Sequence, residues 1–152
     1  MKFTLATFLL LFPILMGTAC NQDPLEEHAT EIDDAMKDTI KITVGKKVFT
    51  ATLFDNATAN ALKAMLPLTI AMTELNGNEK YFRFSSNLPA DASNPGTINS
   101  GDLMLWGFNT LVLFYETFST SYSYTNVGRI DDATGLAAAL GAGNVTVKIE
   151  SP

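Results

Sequence analysis

IKITVGKKVFTATLFDNATANALKAML, Ile40 to Leu66, carries the pattern of strand, turn, strand and helix in one continuous run. Ile40, Ile42 and Val44 alternate with Lys41 and Thr43, the period of two that leaves one strand face apolar and the other wet. Gly45-Lys46 suits a tight hairpin turn. VFTATLF, Val48 to Phe54, continues as a strand rich in β-branched and aromatic side chains, which pack well on a pleated surface. Asp55 or Asn56 then offers a side-chain oxygen to the orphan N–H groups of a helix start. Ala61, Leu62, Met65 and Leu66 share one face of that helix. Pro67 stops it, because the residue before a proline is driven out of the helical region.

The same signals continue downstream. Leu68 to Leu75 reads as a strand, Asn76-Gly77-Asn78 as a turn, and Lys80 to Phe84 as a further strand. SSNLPADASNPGTINSG, Ser85 to Gly101, has the composition of a loop. Asp102–Trp106 and Thr110–Tyr115 pair across Gly107-Phe108-Asn109. A polar, aromatic loop, ETFSTSYSYTN, spans Glu116 to Asn126. Val127 to Ile130 is a short strand. Asp131 or Asp132 opens a second helix that runs through Leu140, and Gly141 and Gly143 end it. Asn144 to Glu150, with VTVKI inside it, is the last strand. Seven or eight strands, two short helices and a strand at each end predict a mainly β fold. A small closed or nearly closed β-barrel suits it, since closure removes unpaired sheet edges. Alternating parallel βα units would require more helices.

ITVGKKVFTATLFDNATANALKAML resembles the start of cyclophilins: a strand, a glycine turn, a long strand ending in Leu-Phe, and a helix entered through Asp and Thr-Ala. VGRIDDATGLAAAL followed by NVTVKIE resembles their ending. With LPLTIAMTELNGNEKYF, NPGTINSGDLMLWG and LVLFYETFSTSYSYTNVGRID, the whole domain is similar to small bacterial cyclophilin-like proteins, lipoprotein members among them. The resemblance implies a barrel of cyclophilin-like topology. It also implies what is missing. Cyclophilins carry Phe-His-Arg and Gln-Gly-Gly-Asp segments and a proline pocket lined by Phe, Trp and His. Here YFRF, Tyr81 to Phe84, keeps an arginine between aromatics, with no histidine and no Gln-Gly-Gly-Asp after it.

The chain has 152 residues, enough for one domain with a real core. Residues 1–19 read as a secretory leader: Lys2, then the apolar FTLATFLLLFPILMG, then Thr18 and Ala19. The run is short and broken by Pro13, which argues against a membrane-spanning helix. Cys20 is the single cysteine and can form no internal disulfide. Its place after Gly-Thr-Ala resembles a lipobox, though Gly17 stands where leucine is usual; the expectation is lipidation at Cys20, with a free thiol after ordinary cleavage as the competing reading. Asn21 and Gln22 lean away from inner-membrane retention. Residues 20–38 read as an acidic flexible tether, with seven acids against Lys37, because a charge-rich stretch with little to bury stays solvated. Residues 39–152 form the domain, with nine acids against eight bases. A nearly neutral domain offers no basic face to nucleic acid. The expected address is therefore an exported, membrane-anchored lipoprotein of the outer membrane, facing periplasm or surface.

The single histidine, His28, lies in the tether. That removes Ser-His-Asp and Cys-His catalysis and a Cys/His zinc site from the domain; no metal and no cofactor is expected. Asp131-Asp132 read as helix caps favoured by the macrodipole rather than an acid/base pair. A prolyl isomerase needs no nucleophile, only a donor to the twisted amide and an apolar pocket. The barrier it lowers is about 18–20 kcal/mol. Arg83 and Arg129 are the domain's only arginines, and so the weak catalytic candidates. Surface ion pairing is the plainer reading of both. Tyr115, Phe118, Tyr122 and Tyr124, with Arg129 beside them, are the candidate ligand-binding set, since Tyr and Arg concentrate in recognition surfaces. The plainer alternative has the tyrosines covering the barrel mouth. Trp106 fits either core or patch. The expected function is a lipid-anchored cyclophilin-like binding module for a peptide, a small molecule or an envelope protein. A reduced prolyl isomerase is the alternative.

Overall fold

The computed structural model of the chain describes residues 38–152. The leader, Cys20 and the tether up to Lys37 lie outside the described residues. β1 (Thr39–Val44) and β2 (Lys47–Leu53) form the opening hairpin, with Val44 opposite Lys47 and Gly45 at φ 59° between them. Glycine enters that left-handed region without steric cost. α1 (Ala57–Ala64) follows, and its cap is Asn56 rather than Asp55: the Asn56 side chain accepts from the Ala59 N–H at 2.9 Å. Then come β3 (Leu68–Leu75), β4 (Glu79–Arg83), β5 (Thr97–Ile98), β6 (Asp102–Trp106), β7 (Thr110–Phe114), β8 (Phe118–Ser119), β9 (Thr125–Ile130), α2 (Leu136–Leu140) and β10 (Val145–Glu150).

Eight strands close into an antiparallel barrel in the order β1-β10-β3-β4-β7-β6-β9-β2. The first and last strands are neighbours, with Ile42 opposite Ile149, so the two ends of the domain seal the barrel wall. The expected closed, mainly β architecture is what the chain adopts. Alternate residues of each strand fill the interior. Ile40, Ile42, Phe49, Met72, Leu103, Leu111, Leu113, Val127 and Ile149 form one core with Leu62 of α1 and Leu136 and Leu140 of α2. Each such aliphatic side chain contributes about 1.5–3 kcal/mol on full burial.

Strands β6 and β7 are buried on both faces. Their inward residues Leu103, Leu105, Leu111 and Leu113 join the interior core. Their outward residues Met104, Val112 and Phe114 join Ile98 and Tyr124 in a second cluster. Phe114 meets Phe118 and Tyr124 edge to face, at ring-centroid distances of 5.7 and 5.5 Å. This explains why DLMLW and TLVLF read as continuous apolar runs instead of alternating ones. The two stretches expected as loops supply the cover. Thr97 pairs with Ser119 and Ile98 with Phe118, and a bridge joins Ser93 to Tyr124. The loops zip together into a small ribbon laid across the barrel's outer wall.

Two details depart from the sequence reading. The second helix is only Leu136–Leu140, and Gly135 sits at its N-cap without a side-chain hydrogen bond. The adjacent aspartates do other work: Asp131 accepts from the Thr52 hydroxyl at 2.6 Å, and Asp132 accepts from the Thr134 N–H at 2.9 Å. A short polar side chain bonding its own neighbours' backbone competes with helix there. Asp38, the last residue of the expected tether, is held to the barrel. Its carbonyl accepts from Leu53 N–H at 2.7 Å and its carboxylate pairs with Lys63.

Among the described residues one charged side chain is wholly enclosed. Lys80 of β4 is 0% exposed; its Nζ donates to Glu74 and, at 2.6 Å each, to the carbonyls of Gly141 and Gly143. It also lies 5.2 Å from the Tyr115 ring centroid. All three ammonium protons have acceptors, which offsets the cost of enclosing the group.

Candidate functional site

Because Lys80 and Phe82 of β4 point inward, the alternation of the strand turns Glu79, Tyr81 and Arg83 outward. These three form one side of a cleft of about 390 Å³ on the outer wall of the barrel. That lies within the size range of small-ligand sites. Leu75, Asn76 and Asn78 border the end nearest Glu79, where β3 turns into β4. Trp106 and Thr110 border the end nearest Arg83; Thr110 is opposite both Arg83 and Trp106 in the sheet. Val112 contributes to the floor, and Phe118, Tyr122 and Tyr124 complete the lining from the ribbon side. Trp106 is 49% exposed and Tyr122 66% exposed, large apolar surfaces left facing solvent around one depression.

The cleft is electrically bipolar. Glu79 and Arg83 are its only charged lining residues, and neither makes an ion pair among the described residues. Burial, and then the nearby charge of Glu74, push the Glu79 carboxyl above the usual glutamate range. Glu74 behaves oppositely. Burial would raise it, but hydrogen bonds from Lys80, Tyr115 and the Gly77 N–H outweigh that and hold it below the usual range. The Tyr124 phenol is raised by burial first and then by the charge of Glu79. Asn78 Oδ1 is buried without a hydrogen-bond partner among the described residues.

A profile of the cyclophilin-like family matches residues 42–150. The chain belongs to the cyclophilin-like family. The solution structure of a hypothetical protein from Archaeoglobus fulgidus is similar in fold, with a TM-score of 0.53 and 18% identity over 76% of this chain and 95% of that one. No curated protein matches the chain.

On this cyclophilin-like barrel the residues singled out from sequence divide into two groups. Arg83, Phe118, Tyr122 and Tyr124 come together in the cleft. Tyr115 does not line it. That side chain is in the barrel core, and its hydroxyl meets both Glu74 carboxylate oxygens at 3.0 and 2.9 Å. Burial, then the Glu74 bond, push the Tyr115 phenol up to about 12. Arg129 does not line it either: its Nε donates to Asp102 at 2.6 Å, across the β6–β9 register that sets the two residues opposite each other. Tyr81 and Glu79 are cleft residues that sequence reasoning passed over. The usable signal was the outward period of EKYFR once Lys80 is placed inside. Trp106, open between core and patch from sequence, stands at the cleft edge.

With no histidine or cysteine in the domain, Ser-His-Asp and Cys-His arrangements are absent from the cleft. It presents aromatic faces, one carboxyl and one guanidinium without an internal partner. Those are means of recognition: stacking surface, orientation by charge, and a planar fork of donors.

Proposed function

We propose that this cyclophilin-like module is a binding protein of the bacterial envelope, held to the membrane by a lipid on Cys20 and taking a peptide or small-molecule ligand in its outer cleft. The observation that carries the reading is the convergence of Tyr81, Trp106, Phe118, Tyr122 and Tyr124 in one cleft with Arg83, which has no ion-pair partner among the described residues. Exposed aromatics beside a free arginine are the residue types that dominate binding energy at recognition sites. Trp106 is the chain's single tryptophan, so its emission reports occupancy directly. Titration with a short-peptide library should shift that emission saturably, and Tyr122→Ala should weaken binding without moving the melting temperature. A peptide library and a small-molecule library that both leave Trp106 emission and the amide spectrum of the cleft unchanged refute the reading.

A reduced prolyl isomerase is the second reading. It is favoured by Arg83 alone, a donor among aromatics with no side-chain partner among the described residues. Isomerase rates require a donor held more strongly to the twisted amide than to the planar one, in a desolvated pocket. Arg83 is exposed, and the expected result is little acceleration of X-Pro exchange by NMR. Fast exchange that Arg83→Ala abolishes in a folded protein would replace the binding reading with this one.

A further inference from the structure

The bipolar layout of the cleft specifies more than "a ligand". Glu79, Tyr81 and Arg83 stand at alternate positions of one strand, all facing outward. Four residue steps along the strand set the two charged positions about 13 Å apart at ~3.3 Å per residue. At that separation of their backbones the two side chains flank Tyr81 rather than screening one another, and neither finds an opposite charge elsewhere among the described residues. Glu74, the second acid at that end, is already matched by Lys80. Glu79 is the carboxyl left over. Trp106 and Thr110 at the far end bring no charge to Arg83.

A closed barrel offers no free sheet edge, and β4 is hydrogen-bonded to β3 and β7 on its two sides. A peptide therefore cannot add to β4 as a strand; it must be read through side chains. An extended chain laid along β4 presents side chains on one face at the same two-residue period. Resting on the binding reading above, we infer that the cleft selects an extended peptide segment with a cationic, an apolar and an anionic side chain at alternate positions: the cation on Glu79, the apolar group over Tyr81 and the anion on Arg83. Recognition through side chains leaves the peptide's direction free, so the pattern holds read from either end. Phe118 and Tyr124 flank the Glu79 end and give the cation's alkyl stem an apolar wall. The planar guanidinium of Arg83 suits a carboxylate, which it can grip in two parallel bonds.

The test uses four blocked peptides on the full mature chain: Lys-Ser-Leu-Ser-Asp, Lys-Ser-Leu-Ser-Lys, Asp-Ser-Leu-Ser-Asp and the neutral Gln-Ser-Leu-Ser-Asn. Affinities come from Trp106 emission and calorimetry. The first should bind about tenfold more tightly than each of the others, since a charge-assisted bond is made at both ends only there. Arg83→Glu should transfer the preference to the Lys/Lys peptide, and Glu79→Lys to the Asp/Asp peptide. Arg83 is exposed and Glu79 partly buried; the melting temperature of each variant confirms its fold, and either one alone decides the assignment. Equal binding of all four peptides overturns this inference and leaves the binding reading intact. A preference for the first peptide that survives both charge reversals also overturns it, because the charges are then read elsewhere. Absence of binding by every peptide overturns this inference, while the library titration above decides the binding reading.

Discussion

Lys80→Met tests whether the enclosed ion pair holds the barrel wall to the C-terminal glycine turn. Methionine preserves the aliphatic stem and removes the ammonium. Three acceptors then lose their donor: the Glu74 carboxylate and the Gly141 and Gly143 carbonyls. Removing one partner of a buried pair leaves an uncompensated charge and costs about 3–5 kcal/mol. Glu74 keeps the Tyr115 hydroxyl and the Gly77 N–H, and its side chain is 19% exposed, so water relieves part of the loss. The expected cost therefore lies at the low end, about 3 kcal/mol. For a domain of this size that is a fall in Tm of roughly 12 °C, at about 4 °C per kcal/mol. Glu74→Gln added to Lys80→Met should recover about half, because an amide in place of the stranded carboxylate removes the buried charge. Urea unfolding followed by far-UV circular dichroism measures all four corners of the cycle. A loss below about 1 kcal/mol for Lys80→Met, or a double mutant equal to the sum of the singles, would refute the account.

Three other outcomes are expected. Gly128→Ala should destabilise by about 1–3 kcal/mol, since its Cβ would stand 2.7 Å from the Thr52 carbonyl oxygen and 3.3 Å from Leu53 Cα, both backbone, and β9 could not stay against β2; a thermal melt within 2 °C of the parent, at roughly 4 °C per kcal/mol, contradicts this. Tyr115, whose phenol is pushed up to about 12 by burial and the Glu74 bond, adds stability that is complete below the unfolded value and is lost as pH rises through the folded one. Tyr115→Phe should therefore flatten the alkaline arm of the stability–pH curve, and an unchanged arm would assign that loss to other groups. Cys20→Ser should release the mature protein from the detergent phase or stall its processing, whereas an unmodified soluble product from the parent sequence would end the lipid-anchor reading.

The barrel was legible because its signals are local. Alternation in IKITV and VTVKI, turn residues at Gly45 and at Asn76-Gly77, and an amide cap at Asn56 act within a few residues of themselves. Each names an element without knowledge of its partners. The second helix was over-extended for the same reason. Asp131-Asp132 look like helix caps locally, but Asp131 is engaged by Thr52, a residue 79 positions away, and no local rule reports that bond. The candidate site was legible only in part. The aromatic loop that contributes Phe118, Tyr122 and Tyr124 stood out by composition, and Arg83 by its setting in YFRF. Tyr115 ends the strand read as Thr110–Tyr115 and Tyr124 lies in the loop after it, and neither position reports which side of the wall its ring faces. Closure of the barrel sends the first to Glu74 inside and leaves the second on the outer wall. Arg83 and Arg129 divide likewise: the β6–β9 register puts Asp102 opposite Arg129 and nothing acidic opposite Arg83. Pairing between distant strands decides which charges are matched and which remain free to meet a ligand. That is a property of the closed sheet, and the order of residues along the chain does not contain it in readable form.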